Sequence, residues 1–329
     1  MKKQVIFLLA AAMGFTACKQ YKKGPGDMLY KVHKSGSGET LKEGDFVKIN
    51  AVEKTEGDSV KMSTYDMERP FYFPIGKTMF QGDITDAIKQ LHEGDSASFK
   101  INLDSIAKYS GQPKPAGTKD KYTVFTVKIE KVLRKAANEP DSVADKKRRE
   151  FYEKEYKALV AANKASEPVK IKQYIDDNNL KPQTSASGLQ YVIESAGSGA
   201  KAAPGDTVMV NYTGKFPMKR ADGKYNIFDT SVEKVAKENN KYTPMKQYGP
   251  TPMLIGQTIP GFDEGMQLLG KGGKAVLIIP SKLGYGENGF QTINPFSPLV
   301  FEIEITDIKK PKAGAPVAAA PGAAPAGRP

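Results

Sequence analysis

Cysteine, histidine and long apolar runs are all scarce in this chain of 329 residues, and each scarcity removes a class of function. A single cysteine, Cys18, rules out an intrachain disulfide. The only two histidines, His33 and His92, both fall in the first third of the chain, which disfavours a histidine-dependent hydrolase. The apolar run from Val5 to Ala12 is too short to span a bilayer. Charge of one sign is also not segregated: 49 basic and 37 acidic residues give a formal net charge of +12, but the two kinds are interleaved. That pattern argues against a nucleic-acid partner and fits a basic face toward anionic lipid or acidic clients, or simple solubility. What the chain does have is 39% hydrophobic residues and 31 glycines, as in globular modules with many turns, and a length about twice that of a common domain.

The N-terminus reads as an export signal. Met1-Lys2-Lys3 supplies the charge, Val5 to Ala12 the apolar region, and Phe15-Thr16-Ala17-Cys18 follows. The last four residues resemble a bacterial lipobox, which implies a signal peptide over 1–17 and lipidation of Cys18. The mature chain is then anchored to a membrane rather than spanning it, with 18–27 as a short tether. No acidic export signal follows Cys18, so resemblance to known lipoproteins places it in the cell envelope, on the outer membrane facing the periplasm. At the other end, 311–329 is rich in Pro, Ala and Gly and reads as a disordered tail.

An internal repeat organises what lies between. Tyr30 with Gly36-Ser37-Gly38 and Tyr191 with Gly197-Ser198-Gly199 recur at one offset. At the same offset Gly44-Asp45-Phe46-Val47-Lys48-Ile49-Asn50 lies over Gly205-Asp206-Thr207-Val208-Met209-Val210-Asn211. Both copies then carry a short helical pattern (Ile84, Ile88, Leu91; Phe262, Met266, Leu269), a glycine read as a helix cap (Gly94; Gly270), and a closing strand. Those strands alternate as Phe125, Val127, Ile129 and as Phe301, Ile303, Ile305, so each is expected to bury one face and wet the other. The expected fold is α+β: two copies of a curved antiparallel sheet wrapped around a short helix, at 28–135 and 185–310. The second copy carries a charged, helix-prone insert at about 231–248 that reads as an enlarged flap.

Between the copies, 136–184 is highly charged and reads as a helical linker, with Phe151, Tyr152, Tyr156, Leu159 and Val160 at helical spacing. A second short helix is expected to start at Ser166-Glu167-Pro168 and to carry Ile171, Tyr174 and Ile175 on one side. This stripe reads equally as a seal against a domain, a homodimer seam, or a bare spacer.

The second copy resembles the FKBP-type peptidyl-prolyl cis/trans isomerases through five segments in family order. They are Val208 to Gly214, Phe228-Asp229-Thr230-Ser231, Ile259 to Met266, Ile279 to Gly286 and Ile293 to Phe301. The resemblance implies a proline pocket made by Tyr212, Phe228, Asp229, Ile259, Phe262, Tyr285, Ile293 and Phe301. The pocket floor, usually tryptophan in the family, is Phe262 here. Thr258 and Thr251 also depart from the pattern, which bears on affinity more than on isomerisation.

Such a site needs no cofactor, metal or nucleophile. The barrier to rotation about an amide, roughly 18–20 kcal/mol, comes from delocalisation that the twisted state loses. An apolar box that sheds water favours that less charge-separated state. The implied function is isomerisation of prolyl bonds in unfolded or nascent exported polypeptides. The rival reading is a non-catalytic chaperone or adaptor that holds clients.

In the first copy the tyrosine position is Ala51, Phe-Asp falls near Lys61-Met62, the isoleucine position is near Gln81, the floor is Ile84, and Phe125 survives. Tyr109 is a loose stand-in for the loop tyrosine. This copy reads as degenerate. Pro70 to Pro74 is either an exposed client-binding stretch or an ordinary strand against its own helix.

Overall fold

The computed structural model of the chain describes residues 20–114 and 117–311. The expected signal, Cys18 and all but the first residue of the tail lie outside them. The chain forms two compact units, divided between Phe151 and Tyr152.

The first unit runs β1 (Lys22–Lys23), β2 (Leu29–Lys34), β3 (Phe46–Lys54), β4 (Val60–Ser63), β5 (Phe71–Pro74), α1 (Ile84–Ile88), β6 (Ser96–Asn102), α2 (Leu103–Ser110) and β7 (Tyr122–Leu133). The helix α3 (Asp141–Asp177) follows. The second unit continues with β8 (Gln183–Thr184), β9 (Gln190–Ser195), β10 (Thr207–Lys219), β11 (Tyr225–Thr230), α4 (Glu233–Glu238), β12 (Thr251–Leu254), α5 (Pro260–Gln267), β13 (Lys274–Ile279) and β14 (Leu299–Lys309).

Each unit is one seven-stranded antiparallel sheet. The orders, β1-β2-β6-β7-β3-β4 with β5 on β3 and β8-β9-β13-β14-β10-β11 with β12 on β10, are the same arrangement twice. Period-two alternation decides which side chains face in: Val47, Ile49 and Ala51 from β3, and Val208, Val210 and Tyr212 from β10, are all buried. Against these pack Ala87 and Ile88 of α1 and Phe262 and Met266 of α5. Asp83 caps α1 by accepting from the Asp86 N–H at 2.7 Å, and Pro260 opens α5, where its missing N–H costs nothing.

Four sequence expectations change. The left-handed glycine matching Gly94 (φ 85°) is Gly272 (φ 79°), not Gly270. Gly94 donates to the Ile129 carbonyl at 2.9 Å and Gly272 to that of Ile305 at 2.7 Å, so both turn the chain into the sheet. The helices themselves end earlier, at Lys89 and Leu268 in right-handed geometry. No new helix starts at Ser166, because α3 runs through it with Pro168 inside; the Ser166 hydroxyl donates back to the Asn163 carbonyl at 3.1 Å instead of capping.

The expected wet face is also partly dry in the second unit. Ala275 to Ile279 are buried on both sides of β13, and Ile171 and Tyr174 of α3 cover Val276, Ile278 and Val300. Five consecutive apolar residues mark a strand covered twice. The Phe71–Pro74 segment is an ordinary strand paired with β3, with Phe73 packed on the core and Phe71 37% exposed.

Candidate functional site

The eight residues read from the sequence come together in the second unit. Tyr212, Phe262, Ile293 and Phe301 belong to its buried cluster, and Phe228, Ile259 and Tyr285 pack against it. Asp229 joins through the Tyr212 hydroxyl, which donates to its Oδ2 at 2.7 Å.

The aromatic rings meet edge to face. Phe262 and Phe301 have centroids 4.8 Å apart at 81°, Phe228 and Phe301 5.5 Å at 84°, and Tyr212 and Phe262 6.3 Å at 88°. These are the arrangements that ring quadrupoles prefer. Strand register sets them up: Gly214 of β10 lies opposite Asp229 on one side and Phe301 on the other. A Cβ at Gly214 would stand 2.7 Å from both the Phe228 and the Phe301 ring, so the two rings close over a position with no side chain.

Two phenols, Tyr212 and Tyr285, line the site. Burial, then the hydrogen bond to Asp229 and the charge of that carboxylate, push the Tyr212 hydroxyl well above the ordinary phenol range. Burial, and next the charge of Asp229, raise Tyr285 as well. Tyr285 sits between Gly284 and Gly286 and stacks on Phe290 at 5.2 Å and 11°.

Three contributors escaped sequence reasoning. Phe216 packs on Phe228 at 5.1 Å, and its signal was its place on the same face of β10 as Gly214. Gly214 itself was visible as a glycine inside a strand. Lys246, within the insert, forms an ion pair with Asp229 and lies 5.9 Å from the centroids of both Tyr212 and Tyr248; in the sequence it is one lysine among many.

The first unit keeps the frame but only part of the lining. The Tyr212 N–H donates to Ser231 Oγ at 2.9 Å and the Ser231 N–H to the Tyr212 carbonyl at 2.9 Å. Ala51 and Thr64 repeat both bonds at 2.9 Å. Register then puts Met62 at the place of Asp229, Glu53 at that of Gly214, Phe125 at that of Phe301, and Phe99 at that of Leu277. Tyr109 lies on α2 and stacks on Phe80 at 4.9 Å.

The second unit is thus a sheet wrapped on a short helix, with an aromatic cluster and two phenols gathered at one site. The family profile described as FKBP-type peptidyl-prolyl cis-trans isomerase matches residues 37–130 and 198–306, and the chain belongs to that family. A probable FKBP-type peptidyl-prolyl cis-trans isomerase of Haemophilus influenzae is 38% identical over 160 residues, which cover 46% of this chain and 58% of that protein. A probable FKBP-type isomerase FkpA of Neisseria meningitidis is 32% identical over 233 residues, covering 70% of this chain and 72% of the relative. The crystal structure of FkpA from Escherichia coli aligns with a TM-score of 0.39 at 29% identity, over 53% of this chain and 75% of that one. The chain thus spans little more than half the length of the Haemophilus influenzae protein.

Proposed function

We propose that this chain catalyses cis/trans isomerisation of prolyl bonds in exported or outer-membrane polypeptides, and that the second unit is the catalytic one. The observation that carries the reading is the cage itself: Phe228 and Phe301 meet edge to face over the side-chain-free Gly214, and Phe262 meets Phe301 edge to face in turn.

In this reading the proline ring enters the cage and loses its water. Ile259 and Ile293 close the apolar wall, and Tyr285 donates to a substrate carbonyl. Tyr212, fixed by Asp229, stands at the wall where the twisted carbonyl passes. The twisted amide carries less charge separation than the planar one, so a dry aromatic box favours it. Lowering the barrier by about 5–6 kcal/mol gives on the order of ten-thousand-fold acceleration. The export signal and the Cys18 anchor read from the sequence would put this activity in the cell envelope.

The test is isomerisation of a proline-containing peptide by the whole chain beside Phe228→Ala and Asp229→Ala. Both variants are expected to lose at least about tenfold in kcat/KM, equivalent to roughly 1.4 kcal/mol of transition-state binding. Full activity in a folded Phe228→Ala variant would place catalysis elsewhere.

A holding role for the first unit draws support from Met79 and Tyr109, which stand 63% and 52% exposed beside and within the Phe80–Tyr109 stack. Suppression of client aggregation should then survive Phe228→Ala and weaken in Met79→Ser/Tyr109→Ser.

A further inference from the structure

Behind the cage, the second unit's part of α3 grips the loops that carry Tyr285 and Ile293. The Glu167 carboxylate accepts from the Ser281 N–H at 2.5 Å and from the Ser281 hydroxyl at 2.9 Å. One turn earlier, Asn163 Nδ2 donates to the Pro295 carbonyl at 3.1 Å, and Lys164 lies 5.4 Å from the centroid of the Phe296 ring. Ser281 is 4% exposed and Asn163 5%; the Asn163–Pro295 bond is buried, and the Glu167–Ser281 pair is partly so.

The gripped residues are the roots of the pocket loops. The Ser281 carbonyl accepts from the Gly284 and Gly286 N–H groups, each at 2.9 Å, and these glycines flank Tyr285. The Gly286 carbonyl accepts from Phe296 at 2.9 Å, and Phe290 and Ile293 exchange backbone bonds at 2.9 and 2.8 Å. Phe296 has a positive φ of 54°, an unfavourable conformation for a side chain of its size, so the loop needs support from its surroundings to hold it. Residues 281–296 therefore form one hydrogen-bonded assembly, pocket on one side and α3 on the other. An open groove of about 560 Å³, lined by Lys164, Glu167, Ile171, Ser281, Lys282 and Phe296, marks the seam.

We infer that Glu167 and Asn163 are positioning residues: through Ser281 and Pro295 they hold Tyr285 and Ile293 in place for isomerisation, and so α3 is part of the catalytic apparatus without touching substrate. This rests on the proposed isomerase activity.

Two readouts in the full chain test it. The first is hydrogen exchange of residues 281–297, which reads the grip whether or not the protein is an enzyme. Glu167→Ala should speed exchange there about tenfold, while Glu167→Gln, which keeps an oxygen for the Ser281 N–H and an amide for its hydroxyl, should hold it within twofold of the parent. The second is peptide isomerisation. Glu167→Ala and Asn163→Ala should each lower kcat about five- to thirtyfold with KM little changed, and Glu167→Gln should restore it.

Ile171→Ala is the control, since it strips α3 packing on Val276, Ile278 and Val300 without removing a hydrogen bond to the loops; it should lower thermal stability and leave kcat near the parent value. Unchanged loop exchange in Glu167→Ala overturns the inference outright. So does a kcat loss that Gln fails to rescue, or one that Ile171→Ala reproduces. Inactivity of the parent chain with normal Glu167 dependence of loop exchange sinks the isomerase reading and leaves the grip as a purely structural feature.

Discussion

At the residue scale the cage depends as much on an absent side chain as on the aromatic ones. A methyl at Gly214 would meet the Phe228 and Phe301 rings at 2.7 Å, so Gly214→Ala must displace the rings of the proposed proline pocket. We expect about 1–3 kcal/mol of destabilisation by overpacking, read by denaturant unfolding, and a larger fractional loss of peptide isomerisation than of stability. The phenols make a second prediction. Tyr212 and Tyr285 both titrate above the ordinary value in the folded chain, so the stability their burial confers is complete below about pH 10 and drains away as pH rises through their folded values. Catalysis should accordingly show no tyrosine-dependent change between about pH 6 and 9 and decline only above about 10; a decline with an apparent pKa near 8 would contradict this assignment. The eight cage residues were legible because the residue types are unusual in combination and arrive in order. Lys246 was not, because a lysine's pairing with Asp229 depends on how the insert folds back, and nothing local in the sequence records that.

At the element scale α3 departs furthest from expectation. Composition reads it as a charged linker broken at Pro168, whereas in the structure its later half is part of the second unit's core. Ile171 and Tyr174 bury the outer faces of Val276, Ile278 and Val300. Tyr174→Ala should therefore cost the second unit about 3–5 kcal/mol, while Val169→Ala, at a site 63% exposed, should stay within about 0.5 kcal/mol. The sequence held a clue in the unbroken apolar run Ala275 to Ile279, which has no wet face to offer. Alternation in β7 and β14 was readable because one side of each strand faces its own helix. The cover on β13 comes from more than a hundred residues away in the chain, and short-range pattern does not report such partners.

At the scale of the whole molecule the duplication was legible from the constant offset of its turns and strands, and both sheets have the same strand order. A fragment beginning at Ala186 would leave Val276, Ile278 and Val300 bare; it should express less soluble protein and unfold at lower denaturant than one beginning at Tyr152. Light scattering and urea midpoints of the two fragments check this. The divergence of the copies was also visible in sequence as Ala51, Met62 and Ile84, although Phe99 in the place of Leu277 emerges only from strand register.

The paired bonds of Ala51 with Thr64 and of Tyr212 with Ser231, one to a hydroxyl and one between backbones in each pair, persist where most of the lining around them has changed. Scaffold and lining are thus separable inheritances. The first unit therefore offers an engineer a frame for grafting a new lining, with the second unit of the same chain as the internal standard.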